Sequence, residues 1–198
     1  MRCPIHFRYL TCLAGLLLYL QSGASAATVI DFESFNDGDI LTSQIPGLTF
    51  TNTNILSAGI SLNEFEFPPY SGSNVASDIG GPITINFASP ITSFSGYFTY
   101  LEPLTITAFD FSDIQVVSAA SAFFSNDALY GDPGSNPNEF LQVSFAAGIA
   151  SVIIEADPNG GSFVMDDLSY TPAVPEPSSL YLALTGVAAL LALRKKLL

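Results

Sequence analysis

Residues 27–173 of this 198-residue sequence contain no lysine, arginine, histidine, cysteine or tryptophan. The five basic residues, the single histidine and both cysteines all lie in the two ends of the chain. The central stretch holds all of the 18 acidic residues except Glu176, so it is more acidic than the formal net charge of −13 for the whole chain indicates. Its carboxylates therefore have no cationic side chain of their own to pair with.

These absences exclude several classes of function for the central stretch. Nucleic-acid binding needs cations against phosphate, and a disulfide framework needs cysteine. Ser-His-Asp, Cys-His and zinc–histidine chemistry each lack a partner residue. A carboxylate pair of the kind that glycosidases use stays open as an alternative. We predict a protein that is not an enzyme and does not bind nucleic acid.

The N-terminal residues 1–26 have the layout of a signal peptide. Two arginines in the first eight residues precede an apolar run at residues 9–20, and an Ala-Ser-Ala sequence ends the segment. This order is typical of a charged region, an apolar region and a small-residue cleavage site. We predict cleavage between Ala26 and Ala27 and export of the chain, with a retained signal anchor as the alternative.

The C-terminal residues 174–198 form a second segment of distinct composition. An apolar run at residues 180–193 is followed by three basic residues at 194–196. As a helix this run would be about 21 Å long at ~1.5 Å per residue, short of the ~30 Å hydrocarbon core. It can still span if the flanking basic side chains snorkel, and these place that end in the cytoplasm. We predict a transmembrane helix; a buried helix of a soluble domain is the alternative.

A proline-rich motif, Val174-Pro175-Glu176-Pro177, precedes this run. Proline keeps such a strip extended and accessible to a processing enzyme. The motif, the short apolar helix and the terminal basic cluster together resemble the PEP-CTERM sorting signal of Gram-negative bacteria. The resemblance implies that an exosortase, a membrane-embedded transpeptidase, recognises residues 174–177 and removes the helix. It also implies a transient membrane anchor and a destination in the cell envelope or in an exopolysaccharide or biofilm matrix.

The central stretch, residues 27–173, has the pattern of one all-β domain. Short segments of alternating apolar and polar residues are separated by turn residues every eight to twelve positions, and no segment has a convincing helical pattern. We predict nine or ten strands in an antiparallel, jelly-roll-like β-sandwich. Residues 82–87 and 91–100 are expected to be separate strands, as are 139–145 and 149–155. Residues 59–67 are ambiguous, with a short edge strand as one interpretation.

Two acidic signatures lie at opposite ends of this domain. Asp31-Phe32-Glu33 leaves the first strand, and Asp166-Asp167 lies within the last. The first and last strands of a sandwich are often neighbours, so the two signatures can meet. Two adjacent aspartates in a strand face opposite sides unless a bulge turns one aside. A buried carboxylate needs a partner, which is either a metal ion or, as the alternative, backbone N–H groups at a bulge.

This pair of signatures resembles the galactose-binding-like jelly rolls of carbohydrate-binding modules. In that family a Phe-Glu after the first strand and an Asp-Asp-hydrophobic sequence in the last strand flank a structural Ca²⁺. The resemblance implies a structural Ca²⁺ ion with Glu33 and Asp166 as its first side-chain ligands and Asp167 and Asp31 as second choices. Oxygen ligands of this kind suit Ca²⁺.

The longest polar loop, residues 125–138, is a candidate for sugar contact. Tyr130 could stack on a sugar ring, and Asp127 and Asp132 could accept hydrogen bonds from its hydroxyl groups. A plain solvated loop is the alternative. For the whole protein we predict a structural or adhesive role in an exopolysaccharide matrix. A lectin-like module that binds a neutral glycan is the second hypothesis.

Overall fold

The computed structural model describes residues 25–173. The predicted signal peptide lies almost wholly outside these residues, and the predicted sorting signal and transmembrane helix lie entirely outside them, so all three stay predictions. Ala26 and Ala27, which flank the expected cleavage position, precede the first strand and are exposed. Among residues 25–173 there is no helix long and apolar enough to cross a membrane.

The described chain consists of ten strands, and every strand pairing is antiparallel. The strands are β1 (Thr28–Ile30), β2 (Ile40–Leu41), β3 (Leu48–Thr51), β4 (Thr53–Ser57), β5 (Asn74–Ile79), β6 (Ile83–Tyr100), β7 (Thr105–Phe109), β8 (Gln115–Ala120), β9 (Glu139–Glu155) and β10 (Gly160–Pro172). No residue from 25 to 173 is helical. The prediction of an all-β antiparallel fold is confirmed.

Two long strands, β6 and β9, connect two halves of the sheet. The order is β2-β4-β5-β10-β6-β9-β7-β8, with β1 added to β10 and β3 added to β6. The last part of β6 lies between β10 and the first part of β9, and we call this part of the sheet, with β4 and β5, the front half. The first part of β6 lies between β3 and the last part of β9, and this part, with β7 and β8, is the back half.

The prediction of separate strands at residues 82–87 and 91–100 was wrong in one respect, since both belong to β6. The register of β6 against β9 shifts between Asn86 and Ile91, which bends the strand without ending it. The segments 139–145 and 149–155 are likewise one strand, β9. Between them Gly148 has a φ of 109°, a conformation that favours glycine at the bend.

The region between β4 and β5 also differs from the prediction. Residues 59–67 form turns with only an isolated bridge between Ala58 and Leu62, so no edge strand forms there. β5, in contrast, was not predicted. Both faces of β5 are covered, so its first five residues are all buried. Its sequence therefore lacks the apolar–polar alternation of a half-exposed strand.

Most buried apolar residues belong to one core cluster that draws on both halves of the sheet. Ile83 and Ile85 come from the first part of β6, and Phe94 and Phe98 come from its last part. An apolar layer shared in this way is consistent with a β-sandwich. Both core clusters found among the described residues lie inside the compact unit Ala26–Ala173. This unit therefore has the apolar core that it needs to fold on its own.

Replacing Phe98 with alanine tests this core. Phe98 is fully buried and packs against Phe163, so Phe98→Ala should lower the free energy of unfolding of residues 27–173 by about 3–5 kcal/mol. Urea denaturation followed by circular dichroism measures the change. As a control, Phe111→Ala at an exposed turn should stay within about 0.5 kcal/mol of the wild type. Equal effects of the two substitutions would contradict the assignment of the core.

Candidate functional site

Three aromatic rings lie in a row on the outer face of the front half. Tyr97 of β6 is in register with Phe140 of β9, and their ring centroids are 5.3 Å apart. Tyr70, from the segment before β5, stacks on Tyr97 with centroids 3.4 Å apart and planes 8° apart. Tyr70 is 48% exposed and Phe140 is 51% exposed. We call these three residues the aromatic row.

The row faces outward because successive side chains of β6 point to opposite faces of the sheet. Phe94, Phe98 and Tyr100 point into the core, so Tyr97 between them points away from it. The next residues on the same face are small or amide-bearing. Ser95 is in register with Gln142 on one side and with Ser169 on the other. Hydroxyl and amide groups therefore border the aromatic row along the sheet.

The segment that carries Tyr70 folds back over the front half. We call residues 58–73, between β4 and β5, the covering loop. Its residue Leu62 forms a small apolar cluster with Val75 and Val164 on the outer face of the sheet. The side-chain amide of Asn138 donates a hydrogen bond of 3.0 Å to the carbonyl oxygen of Pro68. The loop thus contacts the sheet at Leu62 and the residue before β9 at Pro68.

Asp166 holds the end of this loop. Its Oδ2 atom accepts hydrogen bonds of 2.8 Å from the backbone N–H groups of Tyr70 and Ser71, and its Oδ1 atom accepts one of 2.7 Å from that of Asp167. The residue is only 1% exposed. Burial raises the pKa of Asp166 to about 6, although the bonds from Ser71, Asp167 and Tyr70 act in the opposite direction.

Asp167 lies at a bulge in β10. Its φ is 44°, and the register of β10 against β6 shifts between Asp166 and Ser169. The bulge turns Asp167 so that its Oδ1 atom accepts a hydrogen bond of 2.8 Å from the Ser71 hydroxyl group. Both adjacent carboxylates therefore contact the same loop residue. On the side of β10 opposite β6, the strand that pairs with β10 changes from β5 to β1 at the same bulge.

Glu33, which follows β1 at the other end of the domain's sequence, contacts the same loop. Its Oε1 atom accepts hydrogen bonds of 2.8 and 2.7 Å from the backbone N–H groups of Ser73 and Asn74. Burial raises the pKa of Glu33, but these bonds outweigh it and lower the pKa overall. Asp31 does not reach the loop through a hydrogen bond; its Oδ1 atom accepts one of 3.2 Å from the N–H of Glu33. We call Glu33, Asp166 and Asp167 the acid latch.

These contacts bear directly on the predicted calcium site. The first and last strands are neighbours as expected, because β1 pairs with β10. The groups aimed at Glu33 and Asp166 are N–H donors, however, and a positive N–H dipole repels a cation. Among residues 25–173 no three or more acidic, histidine or cysteine side chains gather in a way that could hold a metal ion. The observed contacts match the backbone N–H alternative, and the calcium site stays a prediction.

The predicted sugar contacts in residues 125–138 differ in their availability. Tyr130 is 82% exposed. The carboxylate of Asp127 accepts bonds from the N–H groups of Leu129 and Tyr130, and that of Asp132 accepts one from Phe124. Both aspartates therefore help to shape the loop. Tyr130, Asp127 and Asp132 stay predicted contacts.

Sequence reasoning missed the aromatic row. Tyr97 and Phe140 occupy alternating strand positions, where an aromatic residue usually packs in a core. Tyr70 follows Pro68 and Pro69 in a segment without the alternation of a strand. A usable signal existed in Ser93, Ser95 and Tyr97, since a polar series at every second position of β6 indicates an outward face.

No protein-family model matches the chain, and no curated protein matches it. Among solved structures, the K2 cleaved adhesin domain of Lys-gingipain has a TM-score of 0.45 and 15% sequence identity, covering 74% of this chain and 99% of that chain. A xylan-binding domain from Paenibacillus barcinonensis has a TM-score of 0.41 and 12% identity, covering 78% and 99%. A family 29 carbohydrate-binding module variant complexed with mannohexaose has a TM-score of 0.40 and 12% identity, covering 75% and 93%.

The raised pKa of Asp166 predicts a pH dependence of stability. Because the folded pKa of about 6 exceeds the unfolded value of about 3.9, the contribution of Asp166 is fully present below about pH 4 and is lost as the pH rises through about 6. The melting temperature of residues 27–173 should therefore rise between about pH 7 and pH 5. The contribution of Glu33, whose pKa is lowered, is fully present above its unfolded value of about 4.3 and is lost only as the pH falls further, through the folded pKa.

The comparison with Asp166→Asn isolates this effect, because the raised pKa of Asp78 and the general repulsion among the carboxylates are common to both proteins. The variant should show a smaller rise in melting temperature over the same pH range, measured by differential scanning calorimetry. An identical rise in the two proteins would show that Asp166 does not titrate there.

Proposed function

We propose that residues 27–173 are a non-enzymatic module that binds a neutral glycan on the outer face of the front half. The observation that supports this most is the aromatic row, in which Tyr70, Tyr97 and Phe140 present a partly exposed aromatic surface on a rigid sheet. Such a surface offers flat apolar contact to the C–H face of a pyranose ring. The bordering Gln142, which is exposed, and Ser169, which is half-buried, offer donors and acceptors to its hydroxyl groups.

Charge selects the kind of glycan. The module has 17 carboxylates, counted as the 18 acids of the chain less Glu176, and no cationic side chain between residues 27 and 173. An acidic polysaccharide would meet repulsion without any compensating ion pair. A neutral polysaccharide carries no charge and is not repelled. Neutral glycans are therefore the expected ligands, and exopolysaccharide of this class is the expected partner.

The acids of the acid latch do not have the arrangement of a glycosidase pair. Glu33 and Asp166 each accept two or more backbone hydrogen bonds, so neither is free to protonate a leaving group or to attack a sugar carbon. This supports binding without hydrolysis. A binding module without catalysis fits an adhesive or scaffolding role in an exopolysaccharide matrix.

Substitutions in the aromatic row test the proposal. Tyr70→Ala and Phe140→Ala should each weaken binding to a neutral polysaccharide by about tenfold or more, because each removes an exposed ring of the row. Affinity electrophoresis in gels containing xylan, β-glucan or mannan gives the dissociation constants. Phe111→Ala is the matched control, since Phe111 is a 62% exposed phenylalanine on the turn between β7 and β8.

Two results would contradict the proposal. One is the absence of binding to every neutral polysaccharide by the wild-type module. The other is an equal loss of affinity in Phe111→Ala and in Phe140→Ala, which would indicate a non-specific apolar effect. Including Tyr130→Ala tests whether residues 125–138 also contribute, as the sequence predicted.

We also propose that the chain reaches its destination through its two ends. In this account a signal peptide, residues 1–26, exports it, and a transmembrane helix, residues 180–193, anchors it to the membrane transiently. An exosortase-type enzyme then removes the helix at the Val174-Pro175-Glu176-Pro177 motif, and the module is transferred to the cell envelope or extracellular matrix. The support for this is the order of motif, apolar run and basic cluster in the sequence.

Glu176→Ala tests the sorting proposal in the producing cell. Loss of the only charged residue of the motif should leave the C-terminal segment uncleaved, so the mature protein should retain the mass of residues 178–198 and stay in the membrane fraction. Intact-mass spectrometry of the two fractions measures this. Glu155→Ala, at an exposed carboxylate of the module, is the control and should be processed normally. Normal processing of Glu176→Ala would contradict the proposal.

A further inference from the structure

We propose that Asp166 and Glu33 are positioning residues for Tyr70, which they hold through the backbone N–H groups of the covering loop and of the first residue of β5 without a metal ion. The inference deepens the proposed function, on which only its glycan-binding readout rests. It differs from what the resemblance to carbohydrate-binding modules implies, since there the two acidic signatures flank Ca²⁺.

The first argument is the number and direction of the donors. Within five consecutive residues, 70–74, four backbone N–H groups point at two carboxylates. Tyr70 and Ser71 donate to Asp166, and Ser73 and Asn74 donate to Glu33, at 2.7–2.8 Å. Successive N–H groups in a turn form a concave site for an anion, and hydrogen bonds to a charged acceptor are the stronger ones. The backbone here supplies the positive partner that the side chains lack.

The second argument is the glycine between the two pairs of donors. Gly72 has a φ of 54°, which favours glycine. A Cβ atom added at Gly72 would also lie within 3 Å of all three heavy atoms of the Glu33 carboxyl group. The absence of a side chain at position 72 therefore lets the backbone close over Glu33.

The third argument connects these bonds to the aromatic row. The same residue that donates its N–H to Asp166 stacks its ring on Tyr97. Asp166 is in register with Tyr97, so the acceptor and the stacking partner of Tyr70 stand side by side on neighbouring strands. The hydroxyl group of Ser71 adds a bond to Asp167. Moving the loop off Asp166 would therefore move the ring of Tyr70 off Tyr97.

The experiment measures the position of Tyr70 and the affinity separately. Near-ultraviolet circular dichroism of residues 27–173 reports the stacked tyrosine pair, and the difference between wild type and Tyr70→Ala identifies its signal. Asp166→Ala should lose that signal and about tenfold or more in affinity for a neutral polysaccharide. Asp166→Asn should keep both, because its amide oxygen can still accept the two N–H groups of the loop. Wild-type spectra and affinities should be the same in EDTA and in CaCl₂.

Two further variants serve as control and as second test. Asp110 also accepts two backbone N–H bonds on one oxygen, from Ser112 and Ile114, in the turn between β7 and β8. Asp110→Ala should leave the tyrosine signal and the affinity unchanged. Gly72→Ala removes no hydrogen-bonding group and should still lose the signal, which decides the matter if Asp166→Ala does not fold. Far-ultraviolet spectra and cooperative melts establish folding for each variant.

Three outcomes would overturn the inference. The tyrosine signal could survive in Asp166→Ala and Gly72→Ala, which would show that the loop does not depend on these contacts. Asp166→Asn could lose the signal as completely as Asp166→Ala, which would show that an acceptor oxygen facing residues 70 and 71 does not hold the loop. EDTA could remove the signal from the wild type, which would indicate a bound metal ion. If the wild type binds no glycan while the spectra behave as expected, the proposed function fails and the positioning role stands.

Discussion

The hydrogen bonds from the N–H groups of Tyr70 and Ser71 to Asp166 satisfy a buried carboxylate that has no cationic side chain to pair with, and the rest of the domain depends on this kind of contact. A chain with 17 carboxylates and no cation between residues 27 and 173 has to satisfy its buried acids with something other than ion pairs. Backbone N–H groups take the place of cations as the partners of these acids. Asp78, which is buried between β5 and β10, likewise accepts N–H bonds from Ser162 and Phe163. Each such bond ties a loop or strand to a fixed carboxylate.

The candidate binding surface follows from this use of the backbone. The bulge at Asp167 brings two adjacent carboxylates to one loop, and Glu33, from the other end of the domain's sequence, reaches the same loop. The loop is held at its end, and Tyr70 comes to rest on Tyr97. The acids thereby help to build the aromatic surface that we propose as the glycan-binding site.

The fold was largely predictable from the sequence because alternation and turn residues are local signals. The pairing of β1 with β10 was also expected, and it brings Glu33 and Asp166 to the same region. The bends within β6 and β9 were not predictable, since a break in alternation at Pro90 or at Gly148 looks the same for a bent strand as for two strands. The composition of residues 27–173 told us that the acids need a partner. It could not tell us that the partner is the backbone of residues 70–74, because any residue except proline offers an N–H group.

Titration of the amide protons by nuclear magnetic resonance tests the central claim most directly. If the N–H groups of Tyr70 and Ser71 are bonded to Asp166, both proton shifts should change together as the pH is lowered, with a midpoint near the raised pKa of about 6. The midpoint should be the same in EDTA and in CaCl₂. Amide protons that do not titrate with Asp166, or that move only when Ca²⁺ is removed, would contradict the account.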